Sequence, residues 1–198
     1  MKKDEMVMTW FKKLLPARCV TAWLVAASGH ALAQGVMAPP QVAAPLNTLE
    51  AAAENIGVKK CLPAILRLSA LALRGSRSND VLIDWDKTRF ASGEEGAVFS
   101  MIGLEYANAS AAMSITAVPE AAGGCSVSAE RVSVAPFTCA SVAQQELSGY
   151  RPTKLLPTFT VYTDAKEPTS SVSLIDSPPG CLIIRRYVEF NWKDPARK

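Results

Sequence analysis

The chain has 198 residues, 49% of them hydrophobic and 20% charged, with a formal net charge of +3. Its single histidine, His30, lies in an N-terminal segment that we expect to be removed on export, so the mature protein lacks an imidazole. Because imidazole is the side chain that most readily takes and gives protons near neutral pH, this composition excludes Ser-His-Asp triads, Cys-His pairs and histidine-rich zinc sites.

Residues 1–33 have the pattern of a cleavable secretory signal. A start rich in Lys and Arg leads into an apolar stretch at residues 19–27, and residues 31–33 (Ala-Leu-Ala) form a small-residue cleavage site before Gln34. A membrane anchor would need about 20 apolar residues, and this run is interrupted at roughly half that length. We therefore predict a protein of the periplasm of a Gram-negative bacterium, or a secreted one.

Removal of the signal also changes the charge of the chain. The signal contains five basic and two acidic residues out of 21 and 18, which leaves 16 of each in the mature part. A neutral chain without clusters of Lys and Arg lacks the electrostatic footprint of a nucleic-acid-binding protein. We exclude nucleic acid as a partner.

Four cysteines remain after Cys19 leaves with the signal, and an even number in an exported chain predicts two disulfides. The absence of a C-x-x-C motif argues against a redox centre or a zinc ribbon. Cys125 and Cys181 each follow a glycine turn and open an apolar strand, whereas Cys61 and Cys139 lie near helix starts. Of the three possible connectivities we favour Cys125 with Cys181 and Cys61 with Cys139.

Residues 34–46 are rich in Ala and Pro and carry no charge, which is typical of a flexible tether. Residues 47–198 are predicted to form a single domain, and no internal repeat is evident in them.

Two helices are predicted at the start of this domain. Asn47 and Glu50 form a capping pair for the first helix, which ends at Gly57. The second helix has Pro63 in its first turn and ends at Gly75. Its apolar residues lie on several sides, so we expect it to be buried against a sheet.

The rest of the domain alternates between apolar and polar residues in the manner of β-strands. A helix at residues 139–147, capped by Thr138, interrupts the series, and a polar loop covers residues 86–96. We expect an α+β fold: two N-terminal helices packed on a largely antiparallel sheet of six or seven strands, with one inserted helix and stabilisation by disulfides. Strands are predicted at residues 81–85, 98–106, 111–118, 127–134, 155–163, 171–176 and 182–192.

Conventional catalytic motifs are absent from the sequence: it has no G-x-S-x-G, no Walker loop, no dinucleotide fingerprint and no S-x-x-K. We predict no catalytic residue, no metal site and no cofactor. One segment combines acidic with aromatic side chains, and aromatic residues concentrate binding energy at interfaces. The candidate binding residues of this segment are Asp84, Trp85, Asp86, Phe90, Glu94 and Glu95.

Arg186 breaks the otherwise apolar face of the last predicted strand. A buried arginine needs a carboxylate, which Glu105 or Glu130 could supply. The alternative, which we favour, places Arg186 near the rim of the sheet, where its long side chain reaches water.

These observations favour an exported, non-catalytic binding protein, such as an inhibitor, an immunity-type protein or an accessory subunit of an envelope complex. Its partner would be a periplasmic or envelope protein, and the mature chain would have no transmembrane segment. A second hypothesis is a secreted hydrolase that uses the carboxylates of residues 84–95, since two carboxylates can cleave a glycosidic bond without histidine. A third is a carrier of an apolar ligand, held in a cavity between the second helix and the sheet.

Overall fold

A computed structural model of the protein describes residues 47–194. The predicted signal (1–33) and tether (34–46) lie outside the described residues. Helix α1 spans Thr48–Ile56 and helix α2 spans Leu62–Ala72, close to their predicted positions. The side chain of Asn47 accepts a hydrogen bond from the Glu50 backbone N–H at 3.1 Å, and Gly57 adopts the left-handed conformation that ends α1, as predicted.

The strands form one antiparallel sheet with the order β1-β2-β3-β4-β8-β7-β6-β5. This confirms the antiparallel α+β class and corrects the strand number to eight within the described residues. Helix α3 (Lys87–Ala91) follows β1, and helix α4 (Cys139–Glu146), capped by Thr138, is the predicted insertion between β4 and β5. The strands are β1 Ser78–Trp85, β2 Val98–Glu105, β3 Ser110–Pro119, β4 Cys125–Ala135, β5 Arg151–Leu156, β6 Phe159–Thr163, β7 Ser170–Ser177 and β8 Gly180–Trp192.

Two elements differ from the prediction for identifiable reasons. The predicted strand 155–163 is a hairpin of β5 and β6 that turns at Pro157 and Thr158. Strand β5 is exposed along its whole length, so it lacks the apolar alternation that marks a half-buried strand. Helix α3 lies within the predicted loop 86–96, and its five residues are too few to show a helical period.

The connectivity of the sheet repeats itself. Helix α2 is followed by the meander β1–β4, helix α4 is followed by the meander β5–β8, and the fourth strands of the two meanders, β4 and β8, pair at the centre. From one edge of the sheet to its centre the strands follow the chain order β1, β2, β3, β4. From the other edge to the centre they follow the chain order β5, β6, β7, β8. The described part of the chain therefore contains two helix-plus-four-strand halves, a repeat that the amino-acid sequence does not reveal.

Each half is closed by its own disulfide. Cys61, at the start of α2, is bonded to Cys125, and Cys139, at the start of α4, is bonded to Cys181. The two predicted disulfides are thus present, but the predicted pairing is wrong. Cys125 and Cys181 share a local context because they occupy equivalent positions in the two halves. Each is bonded within its own half, so the two are not bonded to each other.

The sheet has two faces with different coverage. The inner face is covered by helices: α1 and α2 contact β1, β3 and β4, while α4 contacts β7 and β8. The outer face carries the alternate residues, and its large side chains are exposed. Strand β2 shows the difference most clearly, since its residues alternate strictly between buried and exposed. The inner-face core includes Val98, Ile102, Leu104, Met113, Ile115, Val172 and Leu174.

Candidate functional site

An open pocket of about 460 Å³ lies where β1 ends and α3 begins. Its lining includes no residue of α2, so it is not the cavity between helix and sheet that the carrier hypothesis expects. Three of the six predicted binding residues line it. The lining residues are Asp84, Trp85, Asp86, Arg89, Ala97, Phe99, Val118 and Pro119.

Strand register and one helix cap build this pocket. In the β1–β2 ladder Asp84 lies opposite Phe99, so the carboxylate and the ring are neighbours on the outer face. Asp86 caps α3 by accepting hydrogen bonds from the backbone N–H groups of Thr88 and Arg89, both at 3.1 Å. The cap turns the chain sharply after β1 and carries Arg89 over the pocket.

The other predicted binding residues support the loop and do not line the pocket. Phe90 is half-buried on α3. Glu94 pairs with Arg89 at 3.4 Å on the surface. Glu95 accepts two hydrogen bonds from the Lys60 backbone N–H, at 2.8 and 3.0 Å, and thereby ties the loop to the start of α2. Sequence proximity joined these six residues into one segment, but the fold brings only Asp84, Trp85 and Asp86 together.

This arrangement bears on the hydrolase hypothesis. Glycoside hydrolysis needs one carboxylic acid to donate a proton and a second, free carboxylate to act as base or nucleophile. Asp86, Glu94 and Glu95 are each engaged in the contacts that hold the loop. Three of the four carboxylates of the hypothesis are therefore used in contacts within the loop and its anchor. Within residues 47–194, moreover, no three His, Cys, Asp or Glu side chains converge in a way that could hold a metal ion.

Beside the pocket, four large apolar side chains lie exposed on the outer face of β1–β3. Leu82 is 67% exposed, Phe99 52%, Met101 54% and Val118 40%, and Leu82 lies directly opposite Met101. We call these four residues the β1–β3 patch. The sequence does not reveal this patch, because β2 carries apolar residues on both of its faces and nothing local says which face the helices cover.

Acidic residues border the β1–β3 patch. Asp80 and Asp84 lie on the outer face of β1, at alternate positions with Leu82, and Glu105 lies on the outer face of β2, four residues after Met101. All three are exposed. The patch is therefore an apolar surface with a negatively charged rim.

A second apolar surface lies at the opposite corner of the outer face. The strand registers align five apolar residues into one row across β4, β8, β7, β6 and β5. The row ends in the exposed side chains of Val134 and Leu156, at 65% and 59%. Its members, in order, are Val134, Leu182, Ile175, Phe159 and Leu156.

Arg186 lies on this outer face as well, near its centre. Its Nε is 2.9 Å from Glu130 Oε1, and the two side chains are 54% and 41% exposed. Both sequence alternatives are thus partly right: Glu130 supplies the carboxylate, and the guanidinium still reaches water. An exposed pair of this kind contributes little to stability.

Both edge strands of the sheet have features that disfavour pairing with a further strand. At the β1 edge, Asp80 Oδ1 accepts a hydrogen bond from the Val81 backbone N–H at 2.8 Å, so this donor is not offered to another chain. At the other edge, β5 contains Pro152 and Lys154, both exposed. Proline and charge are the usual means by which proteins block edge strands. A further strand is therefore not expected to pair with either edge.

Comparison with known protein families, with curated proteins and with solved structures finds no significant match. Between residues 47 and 194, no helix is both long and apolar enough to cross a bilayer.

Proposed function

We propose that the protein is an exported, non-catalytic binding protein that contacts a protein partner through the β1–β3 patch and the adjoining pocket. The observation that carries this proposal is the exposure of Leu82, Phe99, Met101 and Val118 on a sheet face that the helices leave uncovered. Contiguous exposed apolar surface on a monomer is typical of a protein-interaction site. An apolar surface left in water costs roughly 25 cal/mol per Å², which a partner recovers by covering it.

The chemistry of the surface indicates the kind of partner. The acidic rim formed by Asp80, Asp84 and Glu105 complements a partner whose apolar contact residues are flanked by Lys or Arg. The pocket is large enough to take one large side chain of that partner against Trp85 and Phe99. Buried anchors of this type, seated in a pocket lined by aromatic rings, carry most of the binding energy of many interfaces.

The proposed location rests on the disulfides and on the predicted signal. Two disulfides, one in each half, suit a chain that folds in an oxidising compartment. The pattern of residues 1–33 is that of a Sec-type export signal. Together they support a place in the periplasm or outside the cell, where an envelope protein would be the partner.

The test is affinity capture from periplasmic extract with the oxidised, exported protein and two surface variants. The double variant L82K/M101K places two cations in the β1–β3 patch, while V134K places one at the opposite corner of the same face. We expect the wild type and V134K to retain one stoichiometric protein through a salt wash, and L82K/M101K to lose it. Circular dichroism and thermal melts establish that all three proteins fold alike.

Two outcomes would contradict the proposal. If no protein is retained by the wild type, the binding function fails. If L82K/M101K retains the partner as well as the wild type does, the binding function stands but the β1–β3 patch is the wrong surface.

A further inference from the structure

Two arginines face each other at the centre of the inner face. Arg131 on β4 lies directly opposite Arg185 on β8, where the two halves of the sheet meet. They are 9% and 6% exposed, so both are at least nine-tenths buried. Like charges directly opposite each other on neighbouring strands repel, and burial strengthens the repulsion. Such a pair needs negative charge nearby.

Arg185 has such a charge. One of its terminal nitrogens donates a hydrogen bond to the Glu146 carboxylate at the end of α4. Burial lowers the pKa of Arg185, the neighbouring Arg131 lowers it further, and Glu146 opposes both effects. The negative charge of Glu146 is thus already matched to one of the two arginines.

Arg131 has no such partner among residues 47–194. It forms no ion pair with a carboxylate of this part of the chain. Its Nε is buried and has no hydrogen-bond acceptor, a condition that no other buried side-chain nitrogen or oxygen of the described residues shares. The contact that Arg131 makes is with the Tyr106 ring, whose centroid lies 5.0 Å from the guanidinium carbon.

Tyr106 acts as a fixed platform beneath this guanidinium. Its hydroxyl donates a hydrogen bond to the carbonyl oxygen of Ala72, the last residue of α2. Because the Tyr106 ring is fixed at its backbone and at its hydroxyl, it keeps the stacked guanidinium of Arg131 in one plane. Cation–π attraction to the ring is much weaker than the cost of leaving a buried charge without a counter-charge.

We propose that Arg131 is the centre of an oxyanion-binding site on the inner face, where a small carboxylate or phosphate supplies the missing acceptor. Arginine binds such groups side-on, with Nε and one terminal nitrogen donating two parallel hydrogen bonds. The unpaired Nε of Arg131 lies on this side-on edge. Arg185 across the strand pair adds positive charge to the site. The site lies on the face opposite the β1–β3 patch, so it does not depend on the proposed function.

The test follows the protein in solution with sodium phosphate and sodium acetate, each against sodium chloride at matched ionic strength. We expect one of these anions to shift the Arg131 Nε–Hε resonance saturably and to raise Tm, because a ligand of the folded state stabilises it. The anion that acts identifies the chemistry as phosphate or carboxylate. R131M, which removes the charge but keeps the length, should lose the effect, and R131K should bind about tenfold more weakly because lysine lacks the fork.

Arg186→Met provides the matched control, since Arg186 directly follows Arg185 in β8 and lies on the outer face, opposite Glu130. This variant should respond to the anion as the wild type does. The proposal is overturned if phosphate and acetate act on the wild type no differently from chloride. It is also overturned if R131M keeps the response, or if Arg131 Nε–Hε does not shift in the wild type, a measurement that requires no variant to fold.

Discussion

Cys125 and Cys181 occupy equivalent positions, each at the start of the fourth strand of its half, and they are not bonded to each other. Each is bonded instead to the cysteine that starts the helix of its own half, Cys61 or Cys139. The bonds therefore fasten each helix to the inner face of its own four strands. Each disulfide stabilises one helix-on-sheet contact, and neither bond links β4 to β8.

Removing either disulfide should destabilise the protein by a similar amount. The bonds close loops of 64 and 42 residues in sequence separation. Since the entropic gain grows only with the logarithm of loop length, the double variants C61A/C125A and C139A/C181A should each lose about 2–4 kcal/mol. Urea unfolding of the two variants and the wild type measures this. A loss confined to one of the variants would contradict the view that the halves are closed in the same way.

The glycines before Cys125 and Cys181 are also equivalent, and each lies against the end of the other central strand. A Cβ on Gly124 would come within 2.8 Å of the Trp192 carbonyl oxygen, and one on Gly180 within 2.5 Å of the Ala135 carbonyl oxygen. Both distances are below any that real Cβ atoms show. The Gly-Cys pairs thus mark the two places where β4 and β8 approach each other's ends most closely.

Gly180→Ala should therefore be destabilising by about 1–3 kcal/mol, because the added methyl group meets backbone that cannot rotate away. Gly103→Ala is the matched control. Gly103 lies in β2 with ordinary dihedral angles, and a Cβ there would meet nothing within 4 Å. That variant should be neutral or slightly stabilising. Equal unfolding midpoints for the two variants in urea would show that the close approach at Gly180 relaxes without cost.

The sequence predicted those elements whose local signals agree with their environment. Helix α1 has a side-chain cap and a glycine stop, and β3 alternates between apolar and polar residues over most of its length, so the positions of both could be predicted closely. Strand β5 has neither signal, since both of its faces are exposed at the edge of the sheet. Strand β5 forms because it pairs with β6, and the local sequence pattern does not indicate this pairing.

The disulfide pairing and the binding surface depended on tertiary structure in the same way. The similar sequence context of Cys125 and Cys181 arises because the two residues are equivalent in a structural repeat. The local sequence does not show whether two similar cysteines are equivalent in a repeat or bonded to each other. Likewise, Phe99 and Met101 alternate with buried residues of β2 and read as core in sequence. Only the placement of the helices on one face decides that these two side chains remain exposed.

Asp86 should prove to be a structural residue with an indirect effect on binding. Asp86→Ala removes the cap from α3, which should cost about 0.5–2 kcal/mol and release Arg89 from the pocket. Asp84→Ala, two residues earlier in the same pocket, removes a rim charge and no cap. We expect D86A to lower both Tm and affinity for the captured partner, and D84A to lower affinity alone. A Tm lower for D84A than for D86A would contradict the structural role assigned to Asp86.

Removing one partner of the Glu146–Arg185 ion pair should lower the free energy of unfolding strongly, whereas replacing both partners with apolar side chains should lower it little. Glu146→Ala leaves Arg185 buried without its carboxylate, next to Arg131, and we expect a loss of about 3–5 kcal/mol. The double variant E146L/R185M removes both charges and should recover most of that loss, because apolar side chains of similar volume avoid the desolvation of the pair. Urea unfolding of the single and double variants gives the coupling. A double variant no more stable than E146A would contradict this account.

Tyr187 should give the protein a stability that is lost in alkali. Its hydroxyl is buried and donates a hydrogen bond to the Glu189 carboxylate, and burial first, then this bond, raises the pKa of Tyr187 above the ordinary value of 10. Since the folded state holds the proton more tightly than the unfolded state, this contribution is complete below about pH 10 and is lost as the pH rises toward the folded pKa. Each such tyrosine can add a slope of up to about 1.4 kcal/mol per pH unit.

We therefore expect the free energy of unfolding of the wild type to fall between about pH 10 and pH 11, and that of Tyr187→Phe to fall less steeply. The pKa values of Tyr106 and Tyr150 are raised as well, mainly by burial, so some alkaline loss should persist in the variant. Below about pH 9, where a tyrosine of ordinary pKa keeps its proton, the two curves should run parallel. Parallel curves above pH 10 as well would show that Tyr187 ionises as readily in the folded protein as in the unfolded chain.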